Sequence, residues 1–170
     1  MHGSMANALP QAIGAQLAFP GPQVISMSGD GGLAMLMGEL LTVTQYDLPI
    51  TIVVFDNSAL GMVKLEMEAA GIPDWATDLK NPNFAKVAEA IGLMSVRIED
   101  PADVRAGIQK ALDHSGPVLI DAVTDPNALS LPPHISAEQV EGFGVAMMKL
   151  VLSGHIDEVV ETVEANLRHA

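Results

Sequence analysis

Apolar positions recur along this chain in two rhythms. Residues 50–55 (ITIVVF) and 118–123 (VLIDAV) are short, nearly unbroken apolar runs, as expected for strands covered on both faces of a parallel sheet. Residues 24–28 read as another buried strand and 95–98 as a shorter one. Between them the rhythm lengthens. Leu33, Leu36, Met37, Leu40, Leu41 and Thr44 follow i, i+3, i+4, i+7, i+8 spacing, which predicts one helix over 33–44. Helices are also predicted over 6–18, 84–91, 101–114, 137–152 and 157–168, the 101–114 helix with Pro101 in its first turn. Pro20-Gly21-Pro22 and Asp47-Leu48-Pro49 interrupt the pattern, residues 127–133 form a Pro-containing loop, and Ser153-Gly154 joins the last two helices. Strand-helix repetition of this kind predicts an α/β fold, a three-layer sandwich with a mostly parallel central sheet flanked by helices. The pattern divides into an α/β domain over 1–135 and a C-terminal helical extension over 136–170.

Composition narrows the function. Hydrophobic residues make up 49% of the chain and charged residues 17%, enough for a real core and too apolar for a disordered chain. The net charge of −13 repels phosphate backbones, so nucleic acid is excluded as an expected partner. No apolar run approaches the roughly 20 residues a membrane span needs. With no cysteine and no secretory leader pattern at its start, the chain is expected in the cytoplasm.

Candidate chemistry gathers at Gly29-Asp30-Gly31-Gly32, where the run 24–28 meets a helical pattern. In an open α/β sheet such a turn lies at the carboxyl end of a strand, where ligands collect. Three readings compete. The glycines could serve turn geometry alone. Residues 29–34 also satisfy the dinucleotide pattern G-x-G-x-x-A, with Asp56 as the ribose-binding acid. Against that reading, a carboxylate about 4 Å from a phosphate oxygen is repelled by roughly 4 kcal/mol at an effective dielectric of 20. A divalent cation turns Asp30 into an asset, because Mg²⁺ takes one or two protein oxygens together with phosphate oxygens and water. Asn57, at the end of the next strand run, supplies a second oxygen, and a backbone carbonyl at Ser58 or Ala59 a third.

Asp30 and Asn57 are 27 residues apart, and this spacing resembles the thiamin-diphosphate motif, Gly-Asp-Gly followed by Asn after an apolar strand. Residues 3–15 (GSMANALPQAIGA) are similar to the segment that opens the diphosphate-binding domain of that superfamily. The whole chain, including Leu131-Pro132-Pro133 and the final helices, resembles the pyruvate oxidases, above all the bacterial quinone-dependent pyruvate dehydrogenases. The resemblance implies that Asp30, Asn57 and the carbonyl of Ala59 hold Mg²⁺. It places Gly29, the amides of Gly31 and Gly32, and Leu60 and Gly61 around the diphosphate. Met5 would support the bent cofactor, and Met27 and Ser28 would line its pyrimidine side. It implies oxidative decarboxylation of pyruvate to acetate, with electrons passing through FAD to quinone. Acetolactate synthase, which also uses pyruvate and often FAD, is the alternative within the superfamily. A non-catalytic dinucleotide- or diphosphate-binding module is the alternative of another class.

The chain departs from the family at two places. Asp56 stands where the family often has Asn, adding a negative charge near the metal, and Met62 stands where the quinone-dependent enzymes carry an aromatic residue. The resemblance also implies domains beyond this chain: one with a glutamate that activates the cofactor across a subunit interface, and one that binds FAD. The chain is therefore expected to be a C-terminal piece, inactive alone, from a homo-oligomer, with residues 33–37 and 60–67 as candidate contact surfaces. The last helix carries an apolar stripe, Ile156, Val159, Val160, Val163 and Leu167, suited to protein or to membrane lipid at the inner face of the cell membrane. Its acidic residues and lack of an aromatic anchor favour protein. Glu66, His134 and Trp75 are weaker candidates, more simply read as surface residues.

Overall fold

The apolar runs form strands, and the strands pair. In the computed structural model, which describes residues 4–128 and 134–167, β1 (Val24–Gly29), β2 (Ile50–Asp56), β3 (Met94–Ile98) and β4 (Val118–Val123) build one parallel sheet in the order β1-β2-β4-β3. The β-branched run of β2 explains its central place, since such side chains pack well on a pleated, covered surface. Eight α-helices complete the described residues: α1 (Ala8–Ala18), α2 (Asp30–Met35), α3 (Leu40–Gln45), α4 (Gly61–Ala69), α5 (Phe84–Ala90), α6 (Val104–Leu112), α7 (Ala137–Leu152) and α8 (Ile156–Leu167).

The chain divides into two compact units, Met1–Ser58 with Lys80–Thr124, and Ala59–Leu79 with Asp125–Ala170. This line differs from the 135/136 boundary expected from the sequence, because α4 packs on α7 within the second unit.

In the first unit the sheet carries a core on each face. Leu9 and Ile13 of α1, Leu33 of α2, Leu40 and Val43 of α3 and Phe84 of α5 pack with Ile50, Ile52 and Val54 of β2 and Leu119 of β4. On the other face Ala111 of α6 packs with Ile98, Val118 and Ile120. These are the three layers expected. Local chemistry sets the helix starts. Asn83 caps α5 by accepting from Lys86 N at 2.8 Å, and Asp100 accepts from Ala102 N at 2.8 Å before α6.

Two expectations are corrected here. The single helix over 33–44 is three pieces, α2, a 3₁₀ turn at Met37–Glu39, and α3, broken at Leu36 (φ −131°, ψ 32°). Both helical pieces feed the same core through Leu33 and through Leu40 and Val43, while Met35, Leu36 and Leu41 face solvent. The apolar spacing was therefore shared between an inner and an outer set. Likewise β1 is not a buried strand. It is an edge strand, and α6 covers the second face only at β3 and β4, so Ile25 and Met27 are 49% and 62% exposed. Phe55 of β2 is exposed on the same face, so β2 is not covered on both sides along its length.

In the second unit α4 is followed by Gly71, whose φ of +77° lets Ile72 N reach back to Met67 O at 2.9 Å. Lys149 of α7 donates to Gly71 O at 2.8 Å. Gly142 of α7 lies so close to α4 that an added Cβ would stand 2.0 Å from Ala69 O. A reciprocal Ser136–Gln139 capping box starts α7. On α8, Thr162 and Ala165 are buried, whereas Ile156, Val160, Val163 and Leu167 of the apolar stripe are exposed. No described helix is long and apolar enough to cross a membrane.

Candidate functional site

Parallel pairing of β1 with β2 decides where the motif goes. The last pair in register is Gly29 with Phe55, so Asp30 and the Asp56-Asn57 step leave the sheet side by side at its carboxyl edge. Asp30 is 2% exposed and opens α2, where Gly31 N donates to its Oδ1 at 2.8 Å. Gly31's amide, expected at the diphosphate, is thus engaged with Asp30. Gly32 sits against Ser28: an added Cβ would come 2.8 Å from Ser28 Oγ, so a side chain there would force the hydroxyl to turn away. After Asn57 the backbone bends at Ser58, which takes a left-handed conformation (φ 55°). Asp56 Oδ1 holds that bend, accepting from both Ser58 N and Ser58 Oγ at 3.3 Å.

Asp56 does not stand as a bare extra charge at this edge. It is 5% exposed, its Oδ1 accepts from Asn81 Nδ2 at 2.8 Å, and its Oδ2 lies 3.7 Å from Arg97 Nη1. The same Asn81 nitrogen donates to Asp30 Oδ2 at 2.7 Å. Arg97 of β3 also pairs with Asp121 of β4, which is fully buried, and its Nε donates to Glu99 at 2.7 Å. Asp121 Oδ2 further accepts from Ala85 N at 3.3 Å. Burial works against the Arg97 charge, but the bonds to Glu99 and Asp121 prevail and its pKa is raised. Sequence reasoning did not single out Asn81, Arg97 or Asp121. A signal existed: an acid and a base each interrupt an apolar strand run, and in register they are direct partners.

The remaining expected residues fall as follows. Met27 and Ser28 are successive residues of β1 and therefore point to opposite faces of the sheet. Gly29 ends β1, and Met5 is exposed ahead of α1. Ala59, Leu60 and Gly61 belong to the second unit, where Ala59 is buried and bridges to Asp78, Leu60 N donates to Thr77 O at 2.7 Å, and Gly61 starts α4. Met62, Glu66, Trp75 and His134 are exposed, while Leu131, Pro132 and Pro133 lie outside the described residues. The second unit also holds a residue passed over earlier. Glu68 is buried, and its Oε2 has no hydrogen-bond partner among the described residues. Desolvation raises its pKa, Lys64 partly opposes this, and Asp74 and Glu158 add to the rise.

Comparison with known proteins identifies the class. Residues 1–122 match the family described as thiamine pyrophosphate enzyme, C-terminal TPP binding domain, and the chain belongs to that family. The chain is 36% identical over 146 residues to the "Putative thiamine pyrophosphate-containing protein YdaP" of Bacillus subtilis, covering 86% of this chain and 25% of that protein. It is 37% identical over 133 residues to the acetolactate synthase large subunit of Pyropia yezoensis, covering 76% and 22%. It is 34% identical over 131 residues to the mitochondrial acetolactate synthase catalytic subunit of Aspergillus candidus, covering 76% and 19%. The chain thus spans about a quarter or less of the length of these relatives. Acetolactate synthases recur among the relatives, so the comparisons favour that alternative over the pyruvate-oxidase expectation.

The residues at the sheet edge suit the family's cofactor. Among the described residues no group of three or more His, Asp or Glu side chains is arranged to hold a metal unaided. A cation at Asp30 would therefore rely on neutral protein oxygens and on an anionic ligand, the regime in which Mg²⁺ binds phosphates. Gly32, with no side chain, packs its Cα directly against Ser28 and keeps the turn after Asp30 tight.

Proposed function

We propose that this chain holds magnesium thiamin diphosphate in an acetolactate-synthase-like enzyme that joins 2-oxo acids with loss of CO₂. The observation that carries the reading is a buried carboxylate, Asp30, held beside the Asp56-Asn57 step at the carboxyl edge of a parallel sheet. When bound, the cofactor supplies a carbon nucleophile and an electron sink for decarboxylating a 2-oxo acid. The chain's own residues bind and orient. Asp30 and Asn57 would give oxygens to Mg²⁺. The Gly29–Gly32 turn would admit the diphosphate, Arg97 lies 3.7 Å from Asp56 and offsets part of its charge, and Mg²⁺ would offset the rest. Recurrence of acetolactate synthases among the relatives supports the choice of reaction.

A second reading keeps the pyruvate oxidase, with FAD and quinone. It is favoured by the outward apolar stripe of α8, suited to a membrane or partner surface. Product analysis of the assembled enzyme separates the two: acetolactate from pyruvate supports the first, acetate formed with a quinone acceptor the second.

The binding claim is tested by calorimetric titration of thiamin diphosphate with and without Mg²⁺, against Asp30→Ala. Binding should need both the metal and Asp30. Metal-independent binding of NAD in its place would overturn the reading.

A further inference from the structure

We propose that Asn81 is the positioning residue for the metal-binding carboxylate: its single amide nitrogen ties Asp30 to Asp56 and fixes the direction in which Asp30 meets a cation. This rests on the cofactor reading above.

The geometry is specific. Asn81 Nδ2 lies 2.7 Å from Asp30 Oδ2 and 2.8 Å from Asp56 Oδ1. An amide nitrogen carries two protons, so both are used, one on each carboxylate. Both acceptors are buried, where hydrogen bonds to charged groups are strong and directional. The Asp56 end is anchored, since that carboxylate also accepts from Ser58 N and Oγ and faces Arg97. Asp30 therefore takes its orientation from a fixed point on the neighbouring strand. Its other oxygen is fixed by Gly31 N at 2.8 Å. A carboxylate has about four lone-pair sites. With one donor on each oxygen, Asp30 keeps lone pairs for a metal while losing its freedom to turn. Asn81 lies 51 residues from Asp30 and outside the Gly-Asp-Gly…Asn motif, so the motif alone does not define the site.

The test uses the purified protein with Mn²⁺ as the probe and thiamin diphosphate present, reading free and bound Mn²⁺ by electron paramagnetic resonance. Asn81→Leu keeps the volume and removes both donors. It should weaken Mn²⁺ binding about 10- to 100-fold, the usual effect of losing a residue that orients a metal ligand. Asn81→Ser retains one O–H, should recover part of that loss, and should give a bound-Mn²⁺ spectrum different from that of the unaltered protein. A merely structural role would lower the melting temperature of the variants without ordering their Mn²⁺ affinities in this way. Equal affinity in the unaltered protein and a folded Asn81→Leu overturns the inference and leaves the cofactor reading standing. If Asn81→Leu does not fold, Asn81→Ser decides: unchanged affinity overturns the inference, and weakened affinity with a native melt supports it. No Mn²⁺ binding by the unaltered protein, with thiamin diphosphate present, removes the cofactor reading and this inference with it.

Discussion

Two regions of this chain bury acid, on opposite terms. At the sheet edge of the first unit, Asp30 and Asp56 are met by donors on both oxygens or by a donor and a cation: Asn81, Gly31, Ser58 and Arg97. Asp121, deeper in β4, is met by Arg97 and Ala85 at Oδ2 alone, and its Oδ1 has no hydrogen-bond partner among the described residues. In the second unit Glu68 is 1% exposed, and no hydrogen bond reaches its Oε2. Its nearest cationic influence, Lys64, is also paired with Asp74 at 3.8 Å. The first arrangement holds Asp30 and Asp56 in one orientation through donors on their oxygens. The second leaves a carboxylate to the mercy of its surroundings, so that desolvation sets its protonation.

The comparison is broken most directly at Arg97. Its removal leaves Asp121 buried with no cationic partner and takes the counter-charge from Asp56. Breaking a buried pair from one side costs about 3–5 kcal/mol, so Arg97→Met should lower the urea midpoint by a large fraction of total stability. Arg97→Lys should recover only part, because one ammonium cannot reproduce the fork that serves Glu99 and Asp121 together. A loss under about 0.5 kcal/mol for Arg97→Met, the scale of an ordinary surface change, would show that the network does not hold this edge.

The second unit is sharpened at Gly142. A methyl there meets the Ala69 carbonyl, a backbone atom that cannot swing aside, so α7 must move off α4. Gly142→Ala should cost about 1–3 kcal/mol by overpacking. Gly144, two residues on, is the control: an added Cβ meets nothing within 4 Å, and Gly144→Ala should stabilise the helix by up to about 1 kcal/mol. Opposite signs in chemical denaturation would establish the close helix contact; equal signs would deny it.

How much of this was readable beforehand depended on whether the information was local. The turn at Asp30, the bend after Asn57 and the strand runs are short-range features, and residues 27 apart met because β1 and β2 are neighbours. Arg97, Asp121 and Asn81 reach the same edge only through the order β1-β2-β4-β3, in which β4 inserts between β2 and β3. Linear spacing carries no trace of that insertion. Burial of β1 was misjudged for a related reason. Its apolar run resembles that of β2, and only the sheet order makes it an edge with Ile25 and Met27 outward. On α8 the stripe was read as a contact surface for protein or lipid, and the buried positions, Thr162 and Ala165, lie outside it.

The smallest effect belongs to Glu68, and its sign is set by pH. Desolvation, opposed in part by Lys64, raises its folded pKa above the ordinary 4.5, while the unfolded chain keeps the ordinary value. Between the two values the folded state binds the extra proton, so stability falls as pH rises through that window. Below 4.5 Glu68 is protonated in both states and contributes no such slope. Glu68→Gln abolishes the titration. Its stability relative to the unaltered protein should therefore grow as pH is raised above 4.5 and level off once Glu68 is ionised in the folded state. An advantage of about 1 kcal/mol at the plateau is the scale expected for relieving one poorly satisfied buried group. Denaturation curves for both proteins across that range read the difference directly. A difference that stays flat with pH would mean that Glu68 titrates normally. The contrast would then lie in hydrogen bonding alone, with the charge of Glu68 compensated as fully as the charges at the sheet edge.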